Sequence, residues 1–312
     1  MEYKEIQLKN GAKLYVMKMP AAKTVALGAH VNAGTREEIW PRQAGIAHAL
    51  EHMVFQGTEE FPDSKAMTEH IESVGGALNA FTWQEMTVYF NMLPPEEMER
   101  GFKVLSQQLR RPLFEPEKIK VEMNNVIQEI HRANDDPANF LGIKFEEIMY
   151  ETHPLGKLTL GLEESILAFS KESFQEFFEK FYHPANFTFL AIGNLKIRDV
   201  RNLFEKYFPE KGKTPPNARE ALSFPQKPEN AILTKDIEQA HTLIGALAPA
   251  GKKRESLVLK VFITMIAGGM SFPLFQEVRD KRGLCYEIKA SYESWSDTGI
   301  FYIYVGTDQK KS

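Results

Sequence analysis

The sequence predicts an α+β protein of two related units, each a mainly antiparallel sheet covered by helices, the second unit incomplete. Three observations carry that reading. Partly alternating, β-branched runs closed by turn residues read as strands, and apolar residues at helical spacing follow them. A proline-rich polar stretch interrupts the chain after residue 209. Beyond it, the order of elements starts again.

KLYVMKM (13–19) and TVALGAHVNAG (24–34) read as the first strands. Residues 43–55 read as a helix, and SKAMTEHIESVGG (64–76) as another that stops at Gly75 and Gly76. ALNAFTWQEMTVYFNML (77–93) reads as a strand pair or one long bent strand. From about 96 to 207 the pattern is mainly helical, broken by the strand NFTFLAIGNL (186–195). Pro209, Pro215, Pro216, Pro225 and Pro228 mark a linker. After it, QAHTLIGALAPAG (239–251) matches TVALGAHVNAG in kind, and helices follow around a glycine break. LCYEIKASYESWSDTGIFYIYVGTD (284–308) then resembles the strands of 77–93. The expected boundaries are 1–212 for the first unit, 213–228 for the linker and 229–312 for the second. The second unit lacks the long helical block that extends the first. Either the chain is a fragment or another chain is expected to supply that layer.

The 312 residues are 43% apolar and 26% charged, the profile of a globular protein. A net charge of −4 offers no electrostatic footprint for nucleic acid. The single cysteine, Cys285, excludes an intrachain disulfide and fits a reducing compartment. No signal-like core opens the chain, and no apolar run approaches the roughly 18 residues of a membrane span. A cytoplasmic location away from membranes is the expectation.

The chemistry concentrates in GIAHALEHMVFQGT (45–58). On a helix, His48 and His52 lie about 40° apart on one face, and Glu51 lies about 60° to the other side of His48. Ile46, Ala47, Leu50, Met53 and Val54 cover the opposite side, so neither histidine sits on the apolar stripe. Neutral imidazoles at i and i+4 can share one Zn²⁺, and a catalytic zinc takes three protein ligands and keeps a position for water. A carboxylate beside it can take the water's proton and pass it to a leaving amine. Glu51 is placed for that, in the inverted spelling of the zinc-peptidase motif.

The third ligand is expected from the helix EPEKIKVEMNNVIQEIHRANDDP (115–137). Glu122 and Glu129 are two turns apart and stack within roughly 20° of each other on the flank of its apolar stripe. Either can bind the metal while the other orients a histidine. A plain pair of helix-flank carboxylates meeting lysines is the alternative. His30, His70, His131, His153, His183 and His241 have no partner at ligand spacing and read as surface or satisfied core.

HALEHMVFQGT resembles the zinc helix of the pitrilysin family of inverzincin metallopeptidases, which includes insulysin and the mitochondrial processing peptidases. The similarity spans nearly the whole chain. It implies the LuxS/MPP-like metallohydrolase fold, one Zn²⁺ per chain held by His48, His52 and Glu129, Glu51 as catalytic base, and Glu122 behind a ligand. GGALNAFTWQEMTVYF is similar to the family's substrate strand, with Asn79 and Ala80 at an edge where an extended peptide adds by main-chain hydrogen bonds. IAGGMSFPLFQEVRDKRGLCYE is similar to its second-domain signature, and the resemblance implies that Arg279 and Tyr286 reach the substrate. The function so implied is zinc-dependent endopeptidase activity on peptides or unfolded segments, in a homodimer or a heterodimer with a related chain. A non-catalytic partner subunit and a zinc hydrolase of non-peptide substrates are the rival readings.

Overall fold

A computed structural model describes residues 3–214, 219, 222 and 229–311. Strands run Tyr3–Gln7 (β1), Lys13–Lys18 (β2), Val25–Val31 (β3), Ala77–Thr82 (β4), Thr87–Leu93 (β5), Phe187–Gly193 (β6), Gln239–Ala248 (β7), Glu287–Ser294 (β8) and Gly299–Asp308 (β9). Helices run Ile46–Gln56 (α1), Ser64–Glu72 (α2), Met98–Arg110 (α3), Pro116–Asp135 (α4), Pro137–Tyr150 (α5), Glu163–Leu167 (α6), Lys171–Phe181 (α7), Ile197–Tyr207 (α8) and Arg254–Ala267 (α9).

Two compact units result, Met1–Ile130 with Leu158–Arg219, and His131–Lys157 with Glu220–Ser312. The first holds a six-stranded sheet in the order β1-β2-β6-β3-β5-β4, antiparallel except for β2 beside β6. Alternation sets its two faces. Val25, Leu27, Ala29 and Val31 of β3, Tyr89 and Leu93 of β5, and Phe187, Phe189 and Ala191 of β6 all point inward and are buried. Against them pack Ile46, Leu50, Met53 and Val54 of α1 and the Ile119, Met123, Val126, Ile127 stripe of α4. Each Val, Leu, Ile, Phe or Met side chain so removed from water stabilises the fold by roughly 1.5–3 kcal/mol.

The start of α1 is held by two devices. Gly45 precedes it with φ +87°, a left-handed conformation that costs glycine little. A β-carbon there would lie 2.6 Å from the Leu160 carbonyl oxygen and 2.8 Å from the Gly161 Cα, so the site requires glycine twice over. The buried Glu38 carboxylate accepts from the Gly45 amide at 2.9 Å and the Ala47 amide at 3.0 Å. Those donors have no partner within the helix, and negative charge suits that end. Burial holds the Glu38 carboxyl well above the usual carboxylate range, against the pull of the two amides.

The second unit has a three-stranded antiparallel sheet in the order β7-β9-β8. Its strands and the intervening α9 repeat the order β3-β5-β4 with α1 and α2 between, which is the structural form of the internal duplication. Where a first unit unbroken to residue 212 is expected, the structure assigns His131–Lys157 to the second unit. The cause is packing. Met149 and Tyr150 of α5 share a core with Trp295 and Ile300, and Phe145 meets the Tyr302 ring edge-on at 5.9 Å. Of the expected linker, 215–218, 220–221 and 223–228 lie outside the described residues. No helix among the described residues is long and apolar enough to cross a membrane.

Candidate metal centre

Because the apolar stripe of α1 faces the sheet, His48, Glu51 and His52 emerge together on its flank. The stripe of α4 does the same for Glu122 and Glu129. His48 Nε2 lies 3.3 Å from His52 Nε2 and 3.5 Å from Glu129 Oε2, and His52 Nε2 lies 3.9 Å from the same oxygen. The point equidistant from all three atoms is about 2.1 Å from each, the length of a zinc–nitrogen or zinc–oxygen bond. Among the described residues, these three are the only convergent set of metal-ligating side chains. The residues present therefore fit a zinc ion with an open coordination position.

The second carboxylate does a different job. Glu122 Oε1 contacts His52 Nδ1 at 2.9 Å, while Glu122 Oε2 accepts from Gln56 Nε2 at 2.9 Å and Asn125 Nδ2 at 3.3 Å. With Nδ1–H engaged, His52 presents Nε2 to the Glu129 side. The two glutamates thus differ in their partners even though both lie on one flank of α4.

Glu51 sits beside this set, and its Oε2 accepts from Thr82 Oγ1 at 2.6 Å. Burial raises the Glu51 pKa, the Thr82 hydrogen bond and His52 pull it down, and Glu129 pushes it up again. Asn79 and Ala80 lie on β4, an edge strand of the first unit's sheet. Ala80 packs against the core, and its amide donates to Asn79 Oδ1 at 2.8 Å. Arg279 and Tyr286 belong to the second unit. Arg279 rides a π-helical turn, Phe275–Asp280, with its guanidinium 4.6 Å from the Phe275 ring centre and 5.3 Å from that of Tyr286. Tyr286 is 70% exposed.

Electrostatics prepares the two imidazoles unequally. Burial and the neighbouring His52 lower the His48 pKa to about 3, so His48 is neutral above that pH. For His52, burial pulls down, but the Glu122 hydrogen bond and the Glu129 and Glu51 charges outweigh it, and its pKa is raised. Of the two imidazoles, His52 is therefore the one whose protonation competes with a metal. Zinc affinity should fall as pH drops through the His52 pKa, with a slope of about one proton per pH unit. Chelator competition across a pH series measures it, and a slope of two would contradict the neutral His48.

Thr82, Glu38 and Gln56 touch the candidate site or its helix, and no motif or ligand spacing announces them. Each acts through a hydrogen bond to a residue of the metal centre or to the helix that carries it.

Comparison with known proteins places the chain in a family. The family profile described as "Insulinase (Peptidase family M16)" matches residues 14–162, and "Peptidase M16 inactive domain" matches 168–312. An uncharacterized zinc protease of Rickettsia felis is 30% identical over 308 residues, covering 98% of this chain and 73% of the relative. Another from Rickettsia bellii is 31% identical with the same coverage. The crystal structure of a protease from Helicobacter pylori matches with a TM-score of 0.90 at 21% identity, covering 98% of this chain and 75% of that one. The chain belongs to the insulinase (peptidase M16) family. His48, Glu51, His52, Glu122 and Glu129 all fall in the region matched by the first profile, and none in that matched by the second.

Proposed function

We propose that the protein is a zinc-dependent metalloendopeptidase acting on extended peptides or unfolded polypeptide segments. The supporting observation is the convergence of His48, His52 and Glu129 on one point at zinc-bond distance, with a carboxylate alongside. When bound, zinc supplies Lewis acidity toward a peptide carbonyl and a water acidified toward neutrality. The chain's own residues do the rest. Glu51, its pKa raised by burial, accepts a proton and delivers it to the leaving amine. Glu122 holds the His52 tautomer. The edge of β4 at Asn79 and Ala80 pairs with the substrate main chain, which gives affinity largely independent of side chains. Arg279 and Tyr286 offer donors suited to a substrate carbonyl. The working form is a homodimer or a heterodimer with a related chain.

A second reading has its own support. The profile over 168–312 is described as an inactive domain, which favours a non-catalytic partner subunit. One experiment separates them. The purified chain is assayed for zinc content and for cleavage of a quenched fluorescent peptide, before and after chelation and zinc restoration. Chelator-sensitive, zinc-restored cleavage is expected. Zinc at one per chain with no cleavage of any unfolded substrate would favour the partner reading, and no zinc at all would reject the metal assignment.

A further inference from the structure

Thr82 is the last residue of β4, paired with Thr87 of β5 across the strand ends. Its position follows from the alternation of that strand. Leu78, Ala80 and Thr82 form the half-buried face, with Leu78 against Phe61, Met67 and Ile71 and Ala80 against the main core. Ala77, Asn79 and Phe81 point the other way and are exposed. The inward face therefore ends on a hydroxyl at α1, and that hydroxyl donates to Glu51 Oε2 at 2.6 Å. Thr87, its partner across the strands, spends its hydroxyl on the Ala33 carbonyl at 3.0 Å instead. Thr82 is the only described residue that hydrogen-bonds the Glu51 carboxylate.

A carboxylate on a helix flank samples several side-chain rotamers, and one short hydrogen bond to a charged oxygen selects among them. Here the selecting group sits on an edge strand of the sheet. We propose that Thr82 is a positioning residue for the peptidase reaction: its hydroxyl fixes the Glu51 carboxylate and ties it to the strand on which an extended peptide adds. A peptide that pairs with β4 then meets a base whose placement is set by the same strand. The inference rests on the endopeptidase reading for its kinetic consequence, but the orientation of Glu51 is testable without it.

The test uses the full chain carrying Thr82→Val, which removes the donor at nearly constant volume, and Thr82→Ser, which keeps it. For Thr82→Val, kcat should fall roughly 10- to 100-fold, the loss expected for a charge-assisted hydrogen bond that places a reacting group. KM should stay within about twofold, because substrate pairs through the main chain. Zinc affinity should match wild type, and Thr82→Ser should restore most of kcat. Crystal structures of the metal-free proteins give the second readout: one Glu51 rotamer in wild type and Thr82→Ser, a different or divided one in Thr82→Val. An unchanged kcat, a loss confined to KM, a Thr82→Ser as slow as Thr82→Val, or an unmoved Glu51 rotamer would each overturn the proposal. If wild type cleaves nothing, the peptidase reading fails, and the rotamer comparison alone still decides what Thr82 does.

Discussion

Glu51→Gln is expected to lower kcat for peptide hydrolysis by roughly 10²- to 10⁴-fold, the usual contribution of a general base. Zinc should remain bound at one per chain. The substitution keeps the shape of the side chain, and the Thr82 hydroxyl can still donate to the amide oxygen that replaces Glu51 Oε2. It leaves His48, His52 and Glu129 untouched. What it removes is the capacity to accept a proton at a site where burial has raised the affinity of the carboxylate for one. Kinetics with a quenched fluorescent peptide, alongside metal analysis of the same preparation, measures both halves of the expectation. Cleavage at the wild-type rate with zinc bound would show that Glu51 is not the base. Loss of cleavage together with loss of zinc would show that it supports the metal instead.

Much of this site is legible in the chain because helix geometry is periodic. The stripe Ile46, Ala47, Leu50, Met53, Val54 must face a core, which forces His48 and His52 onto one flank, and they are found there. The same holds for Ile119, Met123, Val126, Ile127 and Ile130 of α4, which set Glu122 and Glu129 on a common side. Which glutamate meets the imidazole Nε2 atoms is a matter of how α4 passes α1, a tertiary fact that spacing within α4 cannot contain. Thr82 is 31 residues from Glu51, and Glu38 caps α1 from outside the helix, seven residues before Gly45. Both partnerships depend on where loops and strand ends arrive in space. The placement of α5 is similar. Its sequence continues the helical run of α4, and only the pairing of Met149 and Tyr150 with Trp295 and Ile300 assigns it to the second sheet. The short strand β1 is not legible in the sequence, because none of its residues is buried and it shows no inward-facing alternation.

The division of labour between the α4 carboxylates yields the second large effect. Glu122→Gln should weaken zinc binding by about 10- to 100-fold, the usual cost of losing the carboxylate that orients a ligating histidine. Glu129→Gln should weaken it further, beyond roughly 100-fold, because it removes an anionic ligand rather than a support for a neutral one. The local contacts give the reasons. In Glu122→Gln the amide oxygen can still accept from His52 Nδ1–H, but without a full negative charge, and the Gln56 and Asn125 amides lose their charged acceptor. In Glu129→Gln, His48 Nε2 and His52 Nε2 keep their 3.3 Å separation, but the third corner of the triangle carries no charge to balance the ion. Both variants should fold, since Glu129 is part-exposed and Glu122 keeps isosteric partners. Zinc dissociation constants from chelator competition at one pH, with thermal unfolding of the metal-free proteins as the control, rank the pair. Equal losses would mean that the two carboxylates share the ion, and a larger loss for Glu122→Gln would reverse their roles. Either result would overturn the assignment of Glu129 as the third ligand while leaving the two histidines in place.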